Sequence, residues 1–168
     1  MAVKKLGGVY IMIKTENVLR AIEEIGNTED KLIEVLIKVQ ERSSENYITE
    51  SQLEEISQEL EIPLSKVYGV ASFYSLLSTH RRGENVIQIC NSGPCYVRGS
   101  RNIVKMFESA LGIKMGEVTD DGKFSLEFTS CIGSCDVAPS AKINEEVCGN
   151  LDEKKIDEII NSIRKGVK

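Results

Sequence analysis

The sequence predicts an α/β protein in which a small helical bundle precedes a domain built on a β-sheet. Apolar residues recur at helical spacing between residues 28 and 80. After the polar segment HRRGEN, residues 80–85, the chain contains short runs with the alternation or β-branched content of strands. The apolar run at residues 9–13 is expected to be a short strand or a loose end. We therefore expect an N-terminal segment with a short helix over residues 1–27, a helical bundle over 28–80 and a sheet-containing domain over 84–168.

Three helices are expected between residues 15 and 62. Thr15 is expected to cap a short helix that ends at Gly26, and Thr28 to cap a longer one. Thr49 and Gln52 have the spacing of a capping box at the start of the third helix. The second and third helices each present one apolar face, formed by Leu32, Val35, Leu36 and Val39 and by Leu53, Ile56 and Leu60.

A fourth helix is expected after Pro63, because proline ends the preceding helix. Ser65 can cap this helix, and the sequence continues it to residue 78. Its aromatic residues stand at helical spacing, and we expect them to pack inside the bundle; they are Tyr68, Phe73 and Tyr74.

The second half of the chain has the element order β-α-β-loop-β-β-α. The expected elements are a strand at 86–90, a helix at 100–111, a strand at 124–130, a hairpin at 140–149 that turns at two glutamates, and a last helix from Asp152 to near Gly166. This order is that of a thioredoxin-like domain, a sheet with helices on both faces. In such a fold we expect the Ala138–Pro139 bond to be cis.

The composition is that of a globular protein and excludes several function classes. The 168 residues are 41% hydrophobic and 28% charged, which argues against disorder. A net charge of −5 without a basic run argues against nucleic-acid binding. No apolar run approaches the roughly 20 residues that span a bilayer, and the apolar run at residues 9–13 is too short for a secretory signal. We expect a cytoplasmic protein without direct membrane insertion.

Four of the five cysteines form two close pairs, each following an expected strand. Cys90 and Cys95 stand in CNSGPC, and Cys131 and Cys135 in CIGSC. Structural zinc, a redox dithiol and a [2Fe-2S] cluster all use cysteine pairs, and the spacing alone leaves the three open. Four residues separate Cys90 from Cys95 and three separate Cys131 from Cys135, and such wide spacers favour a metal cluster over a single ion. Glycines at positions 93, 99 and 133 leave backbone N–H groups free to approach the sulfurs.

Longer motifs resemble the thioredoxin-like [2Fe-2S] subunits of respiratory complex I and of NAD(P)-linked hydrogenases and formate dehydrogenases. The motifs are VYGVASFYSLL, the C-x4-C pair, CIGSCDVAP and INEEVCGNL. The resemblance covers roughly residues 28–165, both the helical bundle and the cysteine-bearing domain. It implies one [2Fe-2S] cluster, whose ligands are Cys90, Cys95, Cys131 and Cys135. The segment CYVRG resembles the hydrogenase branch, which includes electron-bifurcating enzymes.

The resemblance implies an electron-transfer subunit that is not itself catalytic toward NAD(H). Neither G-x-G-x-x-G after a strand nor a Walker loop occurs in the chain. FMN and NAD(P) are therefore expected on a flavin- and NAD(P)-binding iron–sulfur partner subunit, alongside a hydrogenase or dehydrogenase subunit. Residues 28–80 are the expected docking element. A complex I or formate dehydrogenase subunit, and a stand-alone [2Fe-2S] ferredoxin or redox sensor, are the alternatives.

The remaining reactive or charged residues have simpler interpretations. Cys148 is expected to be a small buried apolar residue of the hairpin, and His80 a surface residue. Arg98, Arg101 and Lys105 are expected to be solvated, although cations beside an anionic cluster would favour its reduction.

Overall fold

The computed structural model describes residues 16–166 together with two N-terminal strands, β1 (Val3–Leu6) and β2 (Val9–Met12). These two strands pair antiparallel. Thr15, the expected cap of the first helix, lies outside the described residues. The chain forms two compact units, residues 1–81 and 82–168.

The first unit contains the four expected helices around one apolar core. They are α1 (Glu16–Ile25), α2 (Leu32–Glu41), α3 (Glu50–Glu59) and α4 (Leu64–Phe73). The predicted apolar faces of α2 and α3 are buried. The capping box of α3 is confirmed, since Gln52 N–H donates to Thr49 Oγ1 at 3.3 Å and Thr49 N–H donates to Gln52 Oε1 at 2.9 Å.

Two other predicted caps are wrong. Thr28 precedes a 3₁₀ turn, Glu29–Lys31, and its side chain makes no cap hydrogen bond, so α2 begins later than expected. Ser65 lies inside the first turn of α4, which starts directly after Pro63. That helix also ends at Phe73 rather than at residue 78.

The aromatic residues of α4 are exposed, which contradicts the prediction that they pack the bundle. The helix buries Val67 and Ala71, which are four residues apart and therefore share a face. Tyr68 is 52% exposed and Phe73 is 79% exposed, because both lie off that face. Phe73 and Tyr74 instead contact each other edge to face, with ring centroids 5.1 Å apart.

The second unit is a four-stranded sheet with helices. Its elements are β3 (Asn85–Cys90), α5 (Gly93–Val97), α6 (Ser100–Leu111), β4 (Phe124–Thr129), β5 (Ala141–Ile143), β6 (Glu146–Cys148) and α7 (Glu153–Arg164). The sheet order is β4-β3-β5-β6, in which β3 pairs parallel with β4 and the other pairs are antiparallel. The predicted order of elements is confirmed, except that the short helix α5 was not expected.

The long helices α6 and α7 pack on one face of this sheet, not on both faces as expected. Alternation places Ile87 and Ile89 on the face that shares a core with both helices. The opposite face is polar, since Gln88 Nε2 donates to Glu127 Oε2 at 3.4 Å. Arg82 holds the same carboxylate through two bonds, of 2.6 and 2.8 Å, and so ties the entry of β3 to β4.

The last part of the chain contains a predicted helix cap and a predicted hairpin turn. Asp152 caps α7 as expected, because its carboxylate accepts a hydrogen bond from Lys155 N–H at 2.8 Å. The hairpin turns one residue earlier than expected, at Asn144, whose φ is 51°. Asn144 Oδ1 also accepts from Val86 N–H at 2.9 Å, which joins the turn to β3.

Candidate metal centre

Both cysteine pairs follow the carboxyl ends of neighbouring parallel strands. Cys90 is the last residue of β3, and its register partner is Thr129, the last residue of β4. The pairing continues beyond the strands, since Asn91 N–H donates to Thr129 O at 3.3 Å. Parallel strands end at the same edge of a sheet, so the loop that follows β4 and carries Cys131 lies beside the loop that follows β3. The predicted juxtaposition of the two loops is confirmed.

The first pair is buried. Cys90 is 1% exposed and Cys95 is 2% exposed. Cys95 lies in α5 rather than in an open loop, and the hydrogen bond from Tyr96 N–H to Ser92 O, 2.9 Å long, closes this turn. Pro94 stands in the first turn of α5, where a missing N–H costs no helical hydrogen bond.

The second pair is more accessible. Cys131 is exposed, and the half-buried Cys135 begins the 3₁₀ turn Cys135–Val137. Between them Gly133 has a φ of 82°, a left-handed conformation that favours glycine. The loop ends at the Ala138–Pro139 bond, which is cis as predicted.

Hydrogen bonds around Cys90 join the two loops. Burial raises the pKa of the Cys90 thiol, but backbone N–H donors of Ser92 and Ile132 and the thiol of Cys95 outweigh it, so this pKa is lowered. Ile132 belongs to the second loop, so its N–H reaches across to a sulfur of the first. The sequence predicted that backbone N–H groups of glycines would approach the cysteine sulfurs. At Cys90 the backbone donors are instead Ser92 and Ile132.

The sulfurs meet as two pairs. The Cys95 thiol contacts Cys90, and the Cys135 thiol contacts Cys131. The hydrogen bond to Cys131, the charge of that residue, burial and the charges of Cys95 and Cys90 together raise the pKa of Cys135. The Cys135 sulfur therefore lies within electrostatic reach of the other three sulfurs, and all four cysteines are free thiols. Within residues 16–166, no three His, Cys, Asp or Glu side chains are arranged to hold a single metal ion.

Two of the three cations near the first cysteine loop have specific contacts. Arg98 Nη1 donates to Asp136 O at 3.2 Å, so this side chain connects α5 to the turn that holds Cys135. The Arg101 guanidinium lies 5.0 Å from the centroid of the Tyr96 ring. Lys105 is exposed, as expected, and lines a groove of about 680 Å³ between Tyr96 and Phe128.

Sequence reasoning missed two serines behind the first pair. Ser140 is 1% exposed, and its Oγ lies 3.6 Å from Cys95 Sγ. Ser134 Oγ donates to Ser140 Oγ at 3.0 Å. The sequence contains no pattern that separates these two serines from the surface serines, because their burial results from the approach of the two loops.

The two remaining sequence predictions concern Cys148 and His80. Cys148 is half-buried, pairs with Ala141 in the hairpin and packs against the sheet core. Its burial raises the pKa of the Cys148 thiol. His80 is exposed, as predicted.

Comparison with known proteins identifies the family. The family model described as thioredoxin-like [2Fe-2S] ferredoxin matches residues 18–164. An NADH-quinone oxidoreductase subunit of Rickettsia felis is 36% identical over 126 residues, which are 75% of this chain and 75% of that protein. The NADP-reducing hydrogenase subunit HndA of Solidesulfovibrio fructosivorans is 34% identical over 143 residues, which are 85% of this chain and 82% of that protein.

A solved structure has the same fold. The crystal structure of an NAD⁺-reducing [NiFe]-hydrogenase in the air-oxidised state superposes with a TM-score of 0.69 at 24% identity. The match covers 82% of this chain but only 23% of the hydrogenase chain. In the described part of this chain, no helix has the length and apolar character needed to cross a membrane. The matched residues include both cysteine pairs, and the chain belongs to the thioredoxin-like [2Fe-2S] ferredoxin family.

Proposed function

We propose that this chain is an electron-transfer subunit of an NAD(P)-linked flavin and iron–sulfur oxidoreductase. Its [2Fe-2S] cluster is held by Cys90, Cys95, Cys131 and Cys135. The observation that carries the proposal is the pairwise arrangement of four free thiols at one edge of the sheet. The family description names the same cluster.

The donor set fits this cluster better than the two alternatives. A [2Fe-2S] cluster takes two thiolates on each iron, and the sulfurs come as two contacting pairs. Backbone N–H groups of Ser92 and Ile132 already point at the Cys90 sulfur, which stabilises it as a thiolate. Structural zinc requires four ligands around one point, and a redox dithiol typically uses C-x-x-C spacing, which neither pair has.

The chain's own residues create an inner and an outer side of the site. Cys90 and Cys95 are shielded from solvent, whereas Cys131 is exposed. When bound, the cluster supplies one-electron transfer. Tyr96 and Val97, 50% and 84% exposed, form an apolar rim beside the site, and we propose that a partner subunit covers this rim.

The division of labour follows from what the sequence lacks. NADH delivers two electrons as a hydride, and the chain has no dinucleotide-binding motif. A flavin subunit that divides the electron pair is therefore required, and we assign FMN and NAD(P) to that partner.

The relatives are subunits of two different kinds of enzyme complex. One is named a subunit of an NADH-quinone oxidoreductase and another a subunit of an NADP-reducing hydrogenase. We assign this chain to the hydrogenase type because of its CYVRG segment, with complex I or formate dehydrogenase as the alternative. The helical unit argues against a stand-alone carrier, which needs only the cysteine-bearing unit.

Purification without exposure to air tests the cofactor and the division of labour together. The isolated chain should contain about two irons and two sulfides, matching two thiolate pairs. Dithionite should bleach its visible absorbance and NADH should not, until the flavin subunit is added. Cys95→Ala and Cys131→Ala should abolish the bleaching because each leaves one iron without a ligand, and Cys148→Ala is the matched control.

Two results would contradict these assignments. One zinc and no iron in anaerobically purified protein would exclude the cluster. Reduction of the flavin-free chain by NADH at a catalytic rate would exclude the proposed division of labour.

We further propose that an apolar surface formed by exposed residues of α4 and of the segment directly after it, here called the α4 face, docks a partner subunit. Tyr68, Phe73 and Leu76 are between 51% and 79% exposed, although such side chains are usually covered. A Tyr68→Ser/Phe73→Ser double variant should keep its visible spectrum and lose association with the flavin subunit in gel filtration. Val147→Ser, at a side chain that is 50% exposed in the hairpin, is the control. Unchanged association of the double variant would exclude this face.

A further inference from the structure

Two serine hydroxyls lie in a row of hydrogen-bonding groups that ends at a cysteine sulfur. Ser134 Oγ donates to Ser140 Oγ at 3.0 Å, and Ser140 Oγ lies 3.6 Å from Cys95 Sγ. Ser140 is 1% exposed, so water has no access to its hydroxyl. Both serines belong to the segment around the second cysteine pair, yet the sulfur that they approach belongs to the first pair.

The backbone holds Ser140 in place at the same point. Cys90 N–H donates to Ser140 O at 3.4 Å, which continues the pairing between β3 and β5. The residue that offers a hydroxyl to Cys95 is therefore anchored to Cys90 through its own carbonyl group. Rotation of one side-chain bond is the main freedom left to this hydroxyl.

The number of protons on these side chains determines which group donates each hydrogen bond. A serine hydroxyl has one proton to donate and two lone pairs that accept. Ser140 accepts from Ser134, which leaves its own proton available. A cysteine that binds iron does so as a thiolate without a proton, so between Ser140 and Cys95 only Ser140 can be the donor.

We propose that Ser140, oriented by Ser134, donates a hydrogen bond to the Cys95 sulfur and thereby raises the reduction potential of the [2Fe-2S] centre. This inference rests on the proposed function. Hydrogen bonds to the sulfurs are among the factors that set such potentials, because a donor stabilises the extra negative charge of the reduced state. Burial strengthens the effect, and donation from Ser134 polarises the Ser140 hydroxyl further.

Redox titration of the full chain, loaded with its cluster and monitored by electron paramagnetic resonance, tests the proposal. Ser140→Ala should make reduction less favourable by about tenfold, which is ~59 mV for a one-electron couple. Ser134→Ala should shift the potential in the same direction by a smaller amount. Ser140→Thr keeps a hydroxyl and should restore a potential near that of the unmodified chain.

A buried serine elsewhere in the same sheet provides the matched control. Ser125 is 2% exposed, and its Oγ has no hydrogen-bond partner among the residues that the structure describes. Ser125→Ala should leave the potential unchanged. The resonance Raman bands of the Fe–S(Cys) stretches should shift in D₂O for the unmodified chain and shift less for Ser140→Ala.

The outcomes separate this inference from the function on which it rests. A cluster-loaded Ser140→Ala with the potential of the unmodified chain would overturn the inference alone. If Ser140→Ala assembles no cluster, the decision passes to Ser134→Ala and the D₂O measurement, and the absence of both shifts would overturn it. An unmodified chain that binds no iron would overturn the proposed function as well.

Discussion

Cys131 is exposed while Cys90 and Cys95 are almost inaccessible, so two pairs that look alike in the sequence have different surroundings. The difference follows from position in the sheet. Cys90 ends a central strand, flanked by β4 and β5, whereas the loop of Cys131 follows the edge strand β4. A thiol at the end of a central strand is covered by neighbouring chain, and one beyond an edge strand is not.

Cys148 tests whether the ligand set is limited to the two pairs. Cys148→Ala should keep the full visible absorbance and lower the free energy of unfolding by about 1 kcal/mol, because it removes one half-buried sulfur from the hairpin. Absorbance spectra and chemical denaturation measure the two effects. Loss of the cluster in this variant would show that the ligands are misassigned.

At the scale of the elements, two threonines that were both predicted to cap a helix behave differently in the structure. Thr49 closes a reciprocal capping box with Gln52, whereas Thr28 makes no side-chain cap bond. The sequence contains the box in full at Thr49, with glutamine three residues on. It offers no such partner at Thr28, and the chain there forms a 3₁₀ turn first.

Replacement of each threonine tests this difference. Thr49→Ala should lower the free energy of unfolding by about 1 kcal/mol, since a backbone N–H of α3 loses its acceptor. Thr28→Ala should change it by less than about 0.5 kcal/mol, as expected for an exposed position. Thermal or urea unfolding measures both, and equal losses would contradict the assigned caps.

The second cysteine loop depends on a glycine that lies outside it. A Cβ at Gly149 would overlap the Val137 side chain and come within 2.8 Å of Val137 O. Val137 ends the turn that starts at Cys135, so a side chain at position 149 would displace this turn.

Gly149→Ala should therefore destabilise the chain by about 1–3 kcal/mol, the usual cost of overpacking. The iron content of the purified variant should also fall, because the Cys135 turn moves. Gly93→Ala is the matched control in the first loop, where an added Cβ meets no atom of the described part of the chain within 4 Å. Wild-type iron content and stability for Gly149→Ala would show that the turn adapts freely.

At the scale of the whole molecule, the four cysteines and their supporting core belong to one unit. The core between the sheet and the helices α6 and α7 is built from residues 87–160, within the unit of residues 82–168. The helical unit has a separate core, built from residues 18–77.

A chain of residues 82–168 alone should consequently fold and retain the visible spectrum of the cluster. It should fail to bind the flavin subunit tightly, because it lacks the α4 face. Circular dichroism, iron analysis and gel filtration measure these properties. A fragment that is unfolded or colourless would show that the site requires the helical unit.

The sequence by itself determined the order of elements, the cysteine pairs and the family to which the chain belongs. Periodicity is sufficient for most of the elements, since strands and helices repeat at different spacings, and each cysteine pair follows a predicted strand. The family follows from the resemblance of the longer motifs around the cysteines. The capping boundaries of α3 and α7 were also predictable, because Thr49 and Asp152 act on residues three positions away.

Only the tertiary structure decided which faces and groups meet. The spacing of apolar residues shows which side chains of α4 share a face. The neighbouring helices determine that the face with Val67 is buried and the face with Tyr68 is exposed. Packing between distant segments likewise determines that α6 and α7 lie on the same face of the sheet. The Ser134–Ser140–Cys95 chain joins residues that are up to 45 positions apart, so no local pattern could reveal it.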